Sequence, residues 1–441
     1  MIKRDNFYFN VFCVTFWVMA VSNFIIEEII PSIEWFRSLR ILLSDIVLLW
    51  LGLVTLRNKT DKWLIGIFVF LGILSSIVNK VPTLLWINGF RDYIPLLFGL
   101  SVLRYFFTSN QSADFRKSFD RQLKIFLIIQ AFCVTEQFIR YGANDAGGGS
   151  LGFGSSGNIS ICIIFISFYF ICKNWDGENY MKSLWRNRLY IFLLFPVFLN
   201  ETKVSFVLLF VYFLLLYPFN IKSIGKIIIA GPIFAIIAVS TYLMYMWATG
   251  GENDFTSSGF IHTYLTGGEN AEDMMELAET AVDYVEEASA TWDENEWAYV
   301  DIPRIIKFPL LWTALEDSKG GLILGAGVGH LKGGTTVDQT EFAKNHIPLL
   351  YATRMTIHLI ILPLGLIGLI WIIIWYKHSL RFKTRVGPMA LQIKLFLLFL
   401  AILNFFYHDS FRYIITCIVF YYLCLATTYP VKSEKVNNEE S

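Results

Sequence analysis

The sequence predicts an all-α polytopic membrane protein, with about twelve transmembrane helices and one large helical extracytoplasmic loop. Three observations predict it. The 441 residues are 55% hydrophobic and only 16% charged, where soluble domains carry about 25% charged residues. Mean hydropathy is +0.53 and phenylalanine alone occurs 40 times, more apolar surface than a soluble core needs. Apolar runs of span length recur along the chain, and basic residues favour every second connection between them.

A span needs about 20 mostly apolar residues. Runs of this kind lie at 7–30, 39–57, 63–79, 84–107, 122–140, 156–172, 188–202, 204–219, 224–248, 350–377, 389–407 and 410–428. The first is too long for a signal-peptide core and reads as a retained span. The seventh and eighth are short and nearly touch at 200–203. Each is expected to be helical, because backbone facing lipid must satisfy its own hydrogen bonds. The chain so divides into a nine-helix region at 1–248, an acidic loop with short helices at 249–349, a three-helix region at 350–428 and a disordered tail at 429–441.

Orientation follows from the basic residues. The even connections hold Arg57, Lys59 and Lys62, then Arg116, Lys117 and Arg121, then Lys173, Lys182, Arg186 and Arg188. Lys222 and Lys226 follow, then Lys377, Arg381, Lys383 and Arg385, and the tail adds Lys432 and Lys435. The odd connections have far fewer, so both termini are expected in the cytoplasm and the loop at 249–349 outside. Between 249 and 303 that loop has fourteen Asp or Glu residues and no Lys or Arg. The apolar spacing of 270–288 predicts an amphipathic helix with an acidic face, either solvated or turned to a cationic partner. A second, apolar helix is expected at 303–315, lying on the membrane surface. The six cysteines lie in or beside apolar runs. With no CxxC pattern, neither a disulfide framework nor a metal site is expected from them.

Ionisable groups within spans are costly and therefore functional suspects. Asp45, Arg91, Asp92 and Glu136 fall inside expected spans, and Lys203, His408, Asp409 and Arg412 at outer junctions. Arg91 either serves a site or pairs with Asp45 or Asp92 to lock helices together. The segment 322–330, LILGAGVGH, spaces Gly325, Gly327 and Gly329 as GxGxG. That is not the dinucleotide pattern, and no strand–helix unit surrounds it. The glycines either let the backbone turn tightly or let it approach a ligand. His330 and His346 sit where the loop returns to the membrane, and imidazoles there can accept a proton at neutral pH. A metal site from His330, Asp338, Glu341 and His346 follows no recognisable spacing. Lys203 and Arg304 are outer cations suited to phosphate oxygens; the alternatives are an interfacial lysine and a partner for the acidic loop.

Five segments resemble the bacterial O-antigen polymerase/ligase superfamily, membrane enzymes that join lipid-linked glycans outside the cytoplasmic membrane. The layout of many spans with one large late outer loop is the first. The others are 89–95 (GFRDYIP) in the fourth span, the glycine-rich 154–160 (GSSGNIS), the step at 199–205 (LNETKVS), and the series Arg304, Trp312, GxGxG and His346. In the ligase branch a small polar residue follows the loop histidine and a Gly-x-x-Gly comes soon after. Here Ile347 follows His346 and the nearest such pair is Gly365 and Gly368, which favours the polymerase branch.

The resemblance implies a GT-C-like fold and inverting, metal-independent glycosyl transfer in the bacterial inner membrane, without a cofactor. The donor would be a glycan on undecaprenyl pyrophosphate, and the acceptor the terminal sugar of another lipid-linked repeat of an O-antigen or capsule. Lys203, Arg304 and Arg91 would serve the donor pyrophosphate. His346 would be the general base, with His330 as alternate. The bilayer and a chain-length regulator or flippase are the other expected partners; nucleic acid is not. A rival mechanism would use Glu27, Glu28 or Glu34 of the first outer loop, which otherwise form a polar rim. The competing functions are a ligase moving glycan to a lipid or other acceptor, a lipid or polysaccharide transporter, and a structural subunit.

Overall fold

The structure is a computed structural model that describes residues 2–33, 35–142, 147–175, 180–200, 204–216, 307–330, 332, 340–350 and 355–430. Every regular element among them is helical. Seven of the described helices are long and apolar enough to cross a membrane. They are α1 (Ile2–Phe24), α2 (Phe36–Thr55), α3 (Lys59–Val78), α6 (Ser112–Tyr141), α7 (Ser156–Lys173), α15 (Thr356–Leu380) and α16 (Ala390–Tyr407). Large apolar side chains stay exposed on their outward faces, among them Phe70, Phe132, Ile139 and Ile370. Water would penalise such a surface, whereas lipid does not. The chain is therefore a polytopic membrane protein.

The other expected spans differ. The fourth, 84–107, runs as α4 (Thr83–Phe90) and α5 (Ile94–Thr108) through a 3-10 turn at Arg91–Tyr93 that tightens the helix without leaving right-handed helical geometry. Pro95 sits in the first turn of α5, where its missing N–H costs nothing. The seventh is two short helices, α9 (Arg188–Phe192) and α10 (Phe195–Leu199), preceded by α8 (Tyr180–Arg186). The eighth and twelfth appear as α11 (Val204–Leu216) and α17 (Ile414–Ala426). The expected span at 224–248 and the acidic helix at 270–288 lie outside the described residues.

Helix α7 is the axis of the bundle, with 94% of its most apolar window buried. A helix that is apolar all round belongs inside. The Phe165 and Phe396 rings stack at 4.1 Å across α7 and α16, and α17 packs along α5 and α7. One end of the bundle gathers the basic connections. There Arg57 reaches Tyr105, Lys173 pairs with Asp120 and Arg116 donates to the Tyr429 carbonyl at 2.5 Å.

At the opposite end a small cap of α12 (Lys307–Asp317), α13 (Gly321–Leu324) and α14 (Glu341–Leu350) sits on the start of α15. Its own core joins Leu311, Ala314, Leu315 and Leu350 to Met355, Ile361 and Leu362. The apolar helix expected at 303–315 thus turns one face into protein, although Trp312 stays half exposed.

Candidate functional site

Glycines bring the cap onto α4 and onto the kink of α15. Gly325, Gly327 and Gly329 have φ of 71°, 95° and 86°, the left-handed region where an L side chain is strained. A Cβ on Gly325 would lie 2.5 Å from the Gly365 nitrogen, and one on Gly329 would lie 2.6 Å from the Leu85 carbonyl carbon. Gly89 approaches from the other side: its Cβ would sit 2.5 Å from the Gly329 nitrogen. The GFRDYIP and GxGxG segments are therefore in backbone contact.

The same loop repairs a break in α15. Pro363 lacks an N–H for the Leu359 carbonyl, and the Tyr93 hydroxyl donates there instead at 2.5 Å. Gly365 leaves helical geometry at φ 61°. The Ala326 and Gly327 amides then donate to the Leu362 and Pro363 carbonyls at 2.6 and 3.1 Å. Asn79 clamps the loop from α3, donating to the Gly325 carbonyl at 2.8 Å and accepting from the Gly320 amide at 3.1 Å.

A small cleft remains, lined by Gly89, Asp92, Tyr93, Gly329, His330, Lys332, His358 and Pro363 among others. Asp92 holds two cations there, Lys332 at 2.7 Å and Arg412 at 3.3 Å. Asp409 adds a second contact to Arg412 at 3.7 Å. Arg91 pairs with Asp45 at 3.0 Å, the helix-locking alternative for that residue.

His330 Nδ1 lies 2.7 Å from the Ala326 carbonyl. A carbonyl only accepts, so Nδ1 carries the proton and Nε2 keeps its lone pair. His346 presents Nε2 to the Asp317 carboxylate at 3.1 Å, which leaves its Nδ1 as the basic nitrogen. Both rings pack on Phe342, at 4.4 and 4.5 Å between centroids. Burial holds both imidazoles below their ordinary 6.5, and for His346 the Asp317 charge opposes that effect. Each is therefore neutral and able to accept a proton at pH 7.

A depressed histidine pKa fixes a sign. Between the folded value and 6.5 the unfolded chain binds more protons, so stability rises with pH there. The cap should hold fully above 6.5 and loosen as pH falls through the lower folded values. Amide exchange over 307–330 and 340–350 should quicken below 6.5 in wild type and much less in His330→Phe/His346→Phe. Exchange independent of pH beyond the intrinsic rate would contradict the burial of these rings.

The first-loop acids are occupied. Glu27 accepts from Arg37 and from the Phe153 amide, each at 2.7 Å. Glu28 accepts from Tyr141 at 3.0 Å and Arg140 at 3.3 Å. With Gln130 and Gln137, which bind the backbone of Ser150 and Gly149, Glu27 pins the glycine-rich turn ahead of α7. The Asn200 amide of LNETKVS reaches the Ser160 hydroxyl of GSSGNIS at 3.3 Å. Lys203, Arg304, Glu34 and Asp338 lie outside the described residues. Among the described residues no three His, Cys, Asp or Glu side chains converge as metal ligands.

Sequence reasoning does not single out Lys332 or Asp317. A cation two residues after His330, in a loop otherwise dominated by acids, was the available signal for the first. Compared with known protein families, curated proteins and solved structures, the chain matches none.

Proposed function

We propose that this chain is a membrane glycosyltransferase that polymerises undecaprenyl-pyrophosphate-linked oligosaccharide repeats into an O-antigen or capsule type polysaccharide. It would do so on a twelve-span, GT-C-like bundle of the bacterial inner membrane. By the positive-inside rule the basic end is cytoplasmic and the cap faces out. The observation that carries this reading is a cleft in which His330 lies beside the Asp92–Lys332 pair, with His346 packed on the same Phe342 ring as His330 and Arg412 held by the same Asp92. Glycosyl transfer from a pyrophosphate needs a proton acceptor beside a cationic surface.

In the reaction an acceptor hydroxyl gives its proton to an unprotonated histidine nitrogen, His346 Nδ1 first and His330 Nε2 as alternate. The oxygen attacks the anomeric carbon from the face opposite the pyrophosphate. The carbon–oxygen bond to phosphate breaks, its electron pair leaves with the pyrophosphate, and the anomeric centre inverts. No acid is required, because pyrophosphate leaves as a stable anion. Lys203 and Arg304 would hold that anion, with Lys332 and Arg412 as further cations. Asp317 would orient His346, as a carboxylate orients a catalytic imidazole. Arg91, held by Asp45, would support the donor site from within the bundle.

Broken helices also occur in transporters, where they line a substrate pathway. Here the break in α15 is filled by the GxGxG backbone, which favours a fixed site. The test is made in cells lacking the native gene, with variants confirmed to insert normally. His346→Ala and Arg304→Ala should stop glycan at one lipid-linked repeat, and His330→Ala reports whether the alternate base is used. Long chains in all three would sink the assignment. Polymer that accumulates on the carrier lipid without reaching its final acceptor would mark a ligase.

A further inference from the structure

At the basic end of the bundle a cleft of about 610 Å³ opens between α6, α7 and the start of α16. Its walls carry Arg116, Lys117, Arg121, Lys124 and Lys173 against a single carboxylate, Asp120. Two of these cations are bound to oxygen, and Lys124 lies 5.1 Å over the Phe170 ring, which leaves its ammonium open to an anion. Lys173 pairs with Asp120, and Arg116 bonds the Tyr429 carbonyl while lying 4.4 Å over the Phe107 ring. Lys117, Arg121 and Lys124 are exposed and have no acidic partner among the described residues. They follow one ridge of α6 at i, i+4 and i+7, so their charges add on one face.

Arg121 also borders a second space. A groove of about 570 Å³ runs between α1 and α6 past Val14, Trp17, Val18, Val21 and Ile125. Its α1 wall is apolar, and on the next ridge of α6 Ser118 and Gln122 join Ile125. With 30 residues, α6 is about 45 Å long, well beyond the roughly 30 Å of hydrocarbon in a bilayer. Its first turns therefore stand among headgroups, and the α1 groove descends from them into the acyl region.

We propose that this composite site binds a phosphate-bearing lipid of the leaflet at the basic end. The phosphate would rest on Lys117, Arg121 and Lys124, and the hydrocarbon chain would lie in the α1 groove. A free phosphate would satisfy the cations and leave the groove unused; a zwitterionic lipid would fill the groove and leave the cations unpaired. Only an anionic lipid matches both halves. The site lies at the other end of the bundle from the histidine cleft and does not depend on the reaction proposed there.

The full chain in phosphatidylcholine nanodiscs, with a photoactivatable phosphatidic acid as probe, tests this. Cross-links are expected on α1 and α6, weakened on the order of tenfold by Lys117→Gln/Arg121→Gln/Lys124→Gln. Lys59→Gln/Lys62→Gln, which removes exposed charge at the same end, should change little. Val18→Trp, which fills the groove and spares the cations, should also cut labelling. Unlabelled phosphatidic acid should compete and inorganic phosphate should not. Labelling that survives the triple substitution, or that falls equally in the Lys59/Lys62 control, overturns the proposal. Full competition by inorganic phosphate overturns it too, in favour of a soluble phosphate site.

Discussion

Gly329→Ala is expected to destabilise the cap by roughly 2–5 kcal/mol and to abolish the positioning of His330. Two costs combine. The residue sits at φ 86°, where an alanine costs about 1–2 kcal/mol. Its new methyl would also meet backbone rather than a yielding side chain, 2.6 Å from the Leu85 carbonyl carbon and 2.9 Å from the Trp86 Cα. Packed backbone cannot rotate out of the way, so the loop itself must move, adding about 1–3 kcal/mol. His330 is the next residue, and a displacement of about 1 Å in a catalytic group can cost on the order of a hundredfold in rate. Gly142→Ala isolates the backbone cost, because Gly142 has φ 75° and ψ −168° with nothing within 4 Å; it should lose about 1–3 kcal/mol, without the added clash. Gly89→Ala presses on the same contact from α4 and should combine with Gly329→Ala less than additively. Thermal unfolding of the detergent-solubilised variants measures all four. Equal losses for Gly142→Ala and Gly329→Ala would show that the cap does not press on α4.

Asp61→Ala should cost about 3–5 kcal/mol, because it strands a buried cation. Asp61 and Arg104 pair with side chains only 1% and 4% exposed, and His378 from the end of α15 completes the group, 2.7 Å from the Asp61 carboxylate. This joins α3, α5 and α15 at the basic end. The Nε and Nη2 of Arg104 have no acceptor and its Nη1 also meets the His378 ring at 2.9 Å, so Asp61 is the carboxylate that compensates its charge. Asp61→Leu/Arg104→Met removes both charges and fills the volume. It should recover most of the loss, since an ion pair taken out whole costs far less than one cut in half. If the double variant is as unstable as Asp61→Ala, the group holds the fold by geometry and not by charge balance. Melting temperature by intrinsic tryptophan fluorescence reads each of these.

Within the site, legibility followed distance along the chain. The suspects Asp45, Arg91, Asp92, Asp409 and Arg412 were visible singly, because an ionisable group in an apolar run stands out locally. Arg91 with Asp45 was among the pairings the sequence offered, whereas the partners of Asp92 were not legible. Asp92 holds Lys332 and Arg412, partners more than two hundred residues away, and no local pattern encodes such a choice. The glycines showed the same split. GxGxG announced a special backbone, but only the packed chain reveals that it meets helix backbone from α4 and α15. Glu27 and Glu28 read as rival catalytic acids or a polar rim and are bound on several sides.

What the sequence determined by itself was the material and its long-range asymmetry. Runs of about 20 apolar residues must become helices in lipid, and seven did so close to the expected places. The tertiary structure decided where helices stop being regular. The fourth run is apolar on both sides of Arg91, yet it tightens to a 3-10 turn at Arg91–Tyr93. There Asp92 pairs with Lys332 and Arg412, and the Tyr93 hydroxyl serves the carbonyl that Pro363 orphans. Hydropathy sums over a window and sees the solvent around a segment. An irregular turn, at Arg91–Tyr93 or at Gly365, is fixed by single hydrogen bonds and charges from distant segments, which exist only once the chain has packed.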